Sequence, residues 1–256
     1  MPAIITTVGT SLLANFLRDP GSGAPLEPCR TKSSVSADDL KNYLRTTPPS
    51  DASAETNGLT KLMAGARDSL YFLSSDTDDG KKCAEALSSW YTEAGYSSRV
   101  LIIEGLHNDI ESFKIKGLYN LIQTVADLIE QHMGDAVINA TGGYKAEIAY
   151  ATLLGILFHV DVYYIHEEFR DIIELPVLPI SFNFIEFDFC REHIKSVIDA
   201  ESVETAERLY AELPDELHAL LMKDPYSGRY CYSPLGIACS RSCAFHLERK
   251  KLQAQI

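Results

Sequence analysis

Asn139-Ala140-Thr141-Gly142-Gly143-Tyr144-Lys145 is the stretch that decides the fold. It follows a short apolar run and precedes a helical pattern of apolar residues, which predicts a turn between a strand and a helix. Glycine lets the backbone approach a ligand closely, and the free N–H groups at a helix N-terminus favour an anion. Lys145 adds a mobile positive charge in the first turn. The stretch therefore predicts a binding site for a phosphate or another anion.

A second turn of the same kind lies near the N-terminus. The segment Ala3–Val8 predicts a strand, Gly9-Thr10-Ser11 a turn, and residues 12–17 a helix. Two such loops after two strands indicate a nucleotide-like ligand. Ser11 has an alternative interpretation as a helix N-cap, and Lys145 as a solvent-exposed helix residue. We favour the ligand roles because glycines precede both side chains.

The composition excludes several classes of protein. A length of 256 residues fits one α/β domain with a small appendage, and a net charge of −13 argues against binding to long nucleic acid. No apolar run is long enough for a bilayer, and Met1-Pro2-Ala3 carries no signal sequence, so we expect a cytoplasmic protein. The six scattered cysteines fit a reducing compartment. We expect no metal site, with zinc at Cys231, Cys239, Cys243 and His246 as the minor alternative.

Predicted strands alternate with predicted helices, which indicates a mostly parallel sheet with helices on both faces. The strand candidates are Ala3–Val8, Ser69–Ser74, Arg99–Ile103, Ala136–Asn139 and Asp161–Ile165, and the helix candidates are Asp38–Leu44, Leu59–Arg67, Gly80–Tyr91, Phe113–Gln131 and Lys145–Phe158. Residues 172–175 predict an edge strand in a hairpin. Residues 18–36 and 46–57, which are rich in Pro, Gly, Ser and Thr, are expected to form loops.

The pattern changes towards the C-terminus. We predict a Rossmann-like domain over residues 1–182 and a small, mainly helical module over 188–256. Helical patterns cover Phe189–Leu213 and Pro214–Met222, and a short β-like piece at 229–232 precedes a final helix that begins at Ser233-Pro234. Helix, small wing and helix resemble part of a winged-helix unit. An all-helical dimerisation or linker module is the alternative that we favour.

Thr7-Val8-Gly9-Thr10-Ser11-Leu12-Leu13 and the 139–145 stretch together resemble the two ligand-binding motifs of CARF domains, the CRISPR-associated Rossmann-fold sensors. Further segments are similar to the same family in the same order: Leu73–Thr77, Tyr163–Glu167 and Leu175–Ile180. The resemblance covers about residues 1–182. Two later segments, 213–217 and 232–236, are similar to the part that follows the sensor domain in several such proteins.

This resemblance implies a Rossmann-like fold, a two-fold homodimer and a cyclic oligoadenylate ligand of four or six adenylates, the messenger of type III CRISPR systems. Some members are ring nucleases in which a ribose 2′-hydroxyl attacks the adjacent phosphodiester without metal or cofactor and leaves a 2′,3′-cyclic phosphate. Others relay the signal to an attached effector, often a HEPN-type nuclease. We expect no R-x-x-x-x-H pair of the HEPN type in the last residues. The leading hypothesis is therefore a standalone ring nuclease that cleaves cyclic tetra-adenylate.

Two other functions stay open. One is a binding-only sensor that regulates a partner, DNA or a missing effector domain, with this chain as a fragment of a larger protein. The other is an ordinary nucleotide-binding Rossmann enzyme, which the absence of G-x-G-x-x-G after the first strand disfavours.

The resemblance also implies roles for particular residues. Lys145 would neutralise charge in the transition state, and Ser11 would hydrogen-bond the scissile phosphate or the 2′-hydroxyl. The expected ligand-binding residues are Gly9, Thr10, Asp76, Thr77, His107, Asn139, Thr141, Gly142 and Gly143. For His107, an exposed loop position is the alternative that we favour.

Overall fold

The structure is a computed structural model that describes residues 2–18, 32–62, 65, 68–165, 172–175 and 184–253. The strands in these ranges are β1 (Ala3–Val8), β2 (Ser69–Ser75), β3 (Ser97–Ile103), β4 (Ala136–Asn139), β5 (Asp161–Ile165), β6 (Ile172–Leu175), β7 (Leu221–Lys223) and β8 (Tyr230–Tyr232). The helices are α1 (Ser11–Phe16), α2 (Ala37–Thr46), α3 (Pro49–Ala52), α4 (Ala54–Lys61), α5 (Asp78–Glu93), α6 (Ile110–Ser112), α7 (Leu118–Gln131), α8 (Lys145–Phe158), α9 (Phe184–Ile198), α10 (Val203–Ala211), α11 (Asp215–His218) and α12 (Pro234–Gln253). A 3₁₀-helix covers Lys32–Ser34, and a π-helical segment, Phe113–Gly117, joins α6 to α7.

The main sheet has the strand order β3-β2-β1-β4-β5-β6. The first five strands are parallel, and β6 pairs antiparallel with β5 at the edge. The predicted Rossmann-like fold and the edge strand are thereby confirmed. The strand order reverses between β1 and β4, and open α/β sheets bind ligands outside the carboxyl ends of the strands at such a point.

Two apolar cores cover the two faces of the sheet. Side chains of β1 alternate between them, so that Ile4 packs with α1, α2 and α5, while Ile5 packs with α7 and α8. All six residues of β1 are buried, as expected for a central strand. The paired cores explain why the sequence of β1 is rich in apolar and β-branched residues on both faces.

The prediction that residues 46–57 form a loop is wrong. This segment contains α3, with Pro49 in its first turn, and the start of α4. The Ser53 hydroxyl accepts a hydrogen bond from the Thr56 N–H group and caps α4. The helix predicted over Leu59–Arg67 therefore begins earlier and ends at Lys61. Of the loop predicted at 18–36, residues 19–31 lie outside the described residues.

The C-terminal part differs from the all-helical alternative that we favoured, because β7 and β8 form an antiparallel hairpin. The single helical pattern at 189–213 is divided into α9 and α10. Helix α12 packs against α7 and α8, in the same apolar core as one face of the main sheet. The domain boundary between residues 182 and 188 stays a prediction. Within the described residues, no helix has the length and apolar character that crossing a membrane requires.

Candidate functional site

A cavity of about 780 Å³ opens at the carboxyl ends of β1 and β4. Both glycine loops border it, with Gly9, Thr10 and Ser11 on one side and Thr141, Gly142, Gly143 and Lys145 on the other. The volume lies in the range usual for small-molecule sites. Seven of the residues singled out from the sequence thus meet at one place, the point where the strand order reverses.

The two glycine loops lie close together and are joined by a hydrogen bond at their base. The Thr7 hydroxyl donates a hydrogen bond of 2.6 Å to the carbonyl oxygen of Gly142. A Cβ atom on Gly9 would lie 2.7 Å from the backbone nitrogen of Gly143. Gly143 itself has a φ of +94°, in the left-handed region that favours glycine. The glycines are therefore required for the close packing of the loops, in addition to any approach to a ligand.

Glu55 is the main residue of the site that the sequence did not reveal. It lies in the first turn of α4 and is fully buried, although it reaches the cavity wall. Its Oε1 atom accepts a hydrogen bond of 2.7 Å from the Gly9 N–H group, and its Oε2 atom accepts one of 3.0 Å from the Ser11 hydroxyl. One carboxylate thus occupies two donors of the first glycine loop. The only sequence signals were the helix starts at Pro49 and Ser53, which a Ser- and Pro-rich composition obscured.

Ser11 is the first residue of α1 and does not serve as its N-cap, a position that Thr10 occupies. The Ser11 hydroxyl donates to Glu55 and accepts a hydrogen bond of 3.1 Å from the Ala54 N–H group. The alternative interpretation of Ser11 as a helix cap is therefore wrong. Its hydroxyl instead joins α1 to α4 at the edge of the cavity.

Lys145 begins α8 and is exposed at the cavity. Among the described residues, its ammonium group forms no salt bridge, which leaves it available to an anion. Arg18, just beyond α1, is a second cation at the cavity and was not identified from the sequence. The site thus combines two exposed cations with the buried acid Glu55.

Glu147 lies under the second loop and is buried, with 1% of its surface exposed. Burial raises the pKa of its carboxyl from 4.5 to about 8, against the hydrogen bond from the Tyr144 N–H group, which lowers it. A Cβ atom on Gly143 would lie 2.6 Å from either carboxyl oxygen of Glu147. The side chain therefore supports the Gly143 turn from below.

Asn139 and Thr141 connect the second loop to the sheet. Asn139 is fully buried and does not line the cavity; its Oδ1 atom accepts a hydrogen bond of 2.6 Å from the Thr141 hydroxyl. That hydroxyl also accepts from the Ile165 N–H group at 3.2 Å. Thr141 borders the cavity, and Asn139 supports it from below; the ligand contact of Asn139 stays a prediction.

Asp76, Thr77 and His107 follow β2 and β3 and lie outside the cavity lining. Asp76 forms a 2.7 Å salt bridge with Lys81, and this hydrogen-bonded partner lowers the pKa of the carboxyl. The Thr77 hydroxyl caps α5 by accepting from the Gly80 N–H group. His107 is half-buried and accepts a hydrogen bond from the Asp109 N–H group. Each of these side chains thus has a local structural contact, and their ligand roles stay predictions.

Arg241 and His246 stand at the R-x-x-x-x-H spacing, which corrects the expectation that this pair is absent. The Arg241 guanidinium forms salt bridges with Asp127 at 2.6 Å and Glu130 at 2.7 Å. His246 Nε2 lies 2.8 Å from the carbonyl oxygen of Leu157, and burial lowers the pKa of its imidazole. Both side chains thus attach α12 to α7 and α8.

Cys239 and Cys243 are buried within α12, and neither forms a disulfide with another described residue. No group of three or more His, Cys, Asp or Glu side chains that could hold a metal ion is found in the part of the chain that the structure describes. Cys29 and His166 lie outside that part, as do the motif residues after Leu175.

A family model described as "CRISPR-associated protein (Cas_APE2256)" matches residues 50–178, half of the chain. Among solved structures, the chain is similar to Enterococcus italicus Csm6 bound to cyclic hexa-2′-fluoro-hexa-dAMP, with 12% sequence identity and a TM-score of 0.38. That match covers 83% of this chain and 48% of the Csm6 chain, so this chain spans about half the length of that protein.

Proposed function

The chain belongs to the CRISPR-associated Cas_APE2256 family, and from this premise we propose that it is a CARF-type protein that binds and cleaves cyclic oligoadenylate. The ligand would be cyclic tetra-adenylate, held on the two-fold axis of a homodimer. Such a ring is symmetric, so each protomer can offer the same cavity to half of it. Cleavage would end the type III CRISPR signal.

One observation carries this proposal: both glycine loops and Lys145 border a single cavity. A phosphodiester in this cavity would meet the N-terminus of α8 and the exposed cations Lys145 and Arg18. The whole chain has a net charge of −13, so the attraction for an anion has to be local. The cavity supplies such a local positive region.

In the proposed reaction, the nucleophile is the 2′-hydroxyl of the ring itself. The protein has to hold that oxygen in line with the P–O5′ bond and stabilise the charge that develops on the phosphate. Lys145 provides the mobile charge, and the backbone N–H groups of Gly142 and Gly143 would hold non-bridging oxygens. The Gly9 N–H group is excluded from this role because it donates to Glu55. No resident metal or cofactor is needed for this chemistry.

A binding-only sensor is the second candidate, and the hydrogen bonds of Ser11 favour it. The Ser11 hydroxyl proton is directed to Glu55 at 3.0 Å, so it is not offered to a scissile phosphate. If Ser11 has no part in the reaction, the loops would bind the ring and report its presence to another domain or partner.

Incubation of the purified protein with cyclic tetra- and hexa-adenylate in EDTA tests the proposal. Binding is measured first, and the products are then followed under single-turnover conditions by chromatography and mass spectrometry. We expect linear oligoadenylates that end in 2′,3′-cyclic phosphate. Binding without cleavage would leave the sensor as the function, and failure to bind either ring would reject both candidates.

A further inference from the structure

Glu55 has a geometry that determines how Ser11 can interact with a ligand. Its role in binding the proposed cyclic oligoadenylate ligand rests on that proposed function and depends on the direction of one hydrogen bond. Glu55 is fully buried, and its two carboxyl oxygens contact two different partners in the first glycine loop. A buried carboxylate is costly unless its hydrogen-bonding capacity is used, so these two contacts maintain its position.

The Gly9 N–H group fixes the orientation of the Glu55 side chain. A backbone N–H can only donate, and it lies 2.7 Å from Oε1. The other oxygen, Oε2, is thereby directed to the Ser11 hydroxyl at 3.0 Å. Ser11 is thus presented with an acceptor and donates its only proton to Glu55.

A serine hydroxyl has one proton and two acceptor positions. In Ser11, the proton points to Glu55, and one acceptor position receives the Ala54 N–H group at 3.1 Å. One lone pair of the Ser11 oxygen is left for a ligand, and Ser11 lines the cavity. Ser11 therefore offers the ligand an acceptor and no donor. A phosphate oxygen needs a donor, whereas a ribose 2′-hydroxyl can donate to this lone pair.

We propose that Glu55 is a positioning residue that makes Ser11 the acceptor of the ligand's 2′-hydroxyl proton. In the reaction, the 2′-hydroxyl proton passes to Ser11 Oγ while the Ser11 proton passes to Glu55 Oε2. The 2′-oxygen forms its bond to phosphorus, and the P–O5′ bond breaks with its electron pair going to O5′. Water protonates O5′, and the proton on Glu55 returns through Ser11 to solvent after the product leaves.

Glu55→Gln reverses the hydrogen bond without changing the shape of the side chain. The Gly9 N–H group still requires the side-chain oxygen, so the new amide group has to donate to Ser11. Ser11 then accepts from both Gln and Ala54, and its own proton turns towards the cavity. A hydroxyl that donates towards the cavity can no longer accept from a 2′-hydroxyl.

The test compares the affinity of cyclic tetra-adenylate with that of its 2′-O-methyl analogue, whose 2′-oxygen can accept a hydrogen bond but cannot donate one. Binding is measured in a Lys145→Ala background, which keeps the ribose ring intact for the measurement. With Glu55 present, we expect the ribose ring to bind roughly three- to tenfold more tightly, the usual effect of one neutral hydrogen bond. With Glu55→Gln, and separately with Ser11→Ala, the ratio should fall to about one. Glu104→Gln, which neutralises an exposed carboxyl paired with Lys116 outside the cavity lining, should keep the ratio of the parent.

Cleavage provides a second readout. With Lys145 restored, Glu55→Gln should slow single-turnover cleavage about a hundredfold or more, as loss of a proton acceptor does elsewhere, with a much smaller change in affinity. A ratio of ribose to 2′-O-methyl affinity of one in the parent, or an unchanged ratio in Glu55→Gln, would overturn the role of Glu55. Discrimination by Glu55 without cleavage by the wild-type protein would support the hydrogen-bond direction and refute the ring nuclease. Binding of neither ring would refute the proposed function, and this role with it.

Discussion

The Thr7 hydroxyl lies 2.6 Å from the carbonyl oxygen of Gly142 and donates a hydrogen bond to it. This bond joins the end of strand β1 to the loop after β4. The two residues are 135 positions apart in the sequence. Both groups are buried, so neither can replace its partner by bulk water. The two glycine loops are thus fixed to each other below the cavity, independently of any ligand.

Thr7→Val should lower the free energy of unfolding by about 1–3 kcal/mol, because it leaves the Gly142 carbonyl without a donor in a buried position. Thr6→Val is the matched control on the same strand. Thr6 is also fully buried, but its hydroxyl has no hydrogen-bond partner among the described residues. A methyl group there should leave stability unchanged or raise it. Equal losses for the two variants in urea denaturation would contradict the role of the Thr7 bond.

Gly142→Ala should prevent the loops from packing. A Cβ atom at this position would lie 2.1 Å from Glu55 Oε1 and 2.7 Å from both the Gly9 nitrogen and the Thr7 carbonyl oxygen. Two of these neighbours are backbone atoms, so relaxation of a flexible side chain cannot relieve the contact. We expect a lower melting temperature and at least a tenfold loss of ring affinity, comparable with the cost of a strained core substitution.

Gly65→Ala controls for the general effect of adding a methyl group to a glycine. Among the described residues, a Cβ atom on Gly65 would meet the Asp68 carboxyl alone, at 3.6 Å, an ordinary contact. Its effect on stability should be small, and ring affinity should not change. Gly142→Ala with wild-type affinity would show that the loops can separate without affecting the site.

The strands were predictable from sequence, whereas the most informative side chain of the site was not. β1 and β4 lie between two apolar cores, so their sequences are rich in apolar and β-branched residues and their boundaries are clear. Glu55 lies in a short helix that begins in a Ser- and Pro-rich segment, where composition favours a loop. Its partner Ser11 is 44 residues away, and this contact depends on how α1 and α4 pack. No local pattern in the sequence carries that information.

The same limit applies to Asp76 and Thr77. Their position after β2 was predicted correctly, but the sequence does not show that a lysine on α5 pairs with Asp76 or that Thr77 caps that helix. Arg18 was not identified because it follows α1 in a segment that was predicted to be a loop. It comes to the cavity only through the packing of the fold, which the local sequence does not show.

Glu147→Gln should change how stability depends on pH. The carboxyl pKa is about 8 in the folded protein, against 4.5 for an unperturbed glutamate, so between these values the folded state binds a proton that the unfolded state has lost. The free energy of unfolding of the wild type should therefore fall as pH rises through this window, by an amount on the order of a few kcal/mol. Glutamine stays neutral and avoids this loss.

The measurement is urea denaturation of both proteins at several pH values between about 5 and 9, a range that covers the Glu147 transition. The stability of Glu147→Gln relative to the wild type should increase with pH and reach a plateau above about pH 8. Parallel pH curves for the two proteins would mean that Glu147 is ionised in the folded state. That result would also mean that a neutral carboxyl does not explain how Glu147 is buried beneath Gly143.

Lys145→Ala separates binding from catalysis. If Lys145 stabilises charge mainly in the transition state, its loss should slow single-turnover cleavage by roughly a hundredfold or more, as loss of a preorganised charge-stabilising group does elsewhere. Affinity should fall much less, because Arg18 and the loop backbone would still contact the bound ring.

Arg18→Ala should show the reverse pattern, with a larger effect on affinity than on rate. Lys116→Ala removes an equal charge whose exposed salt bridge with Glu104 lies away from the cavity lining, and it should change neither quantity. Equal losses of rate and affinity in Lys145→Ala would assign this lysine to binding alone, and wild-type cleavage would remove it from the site.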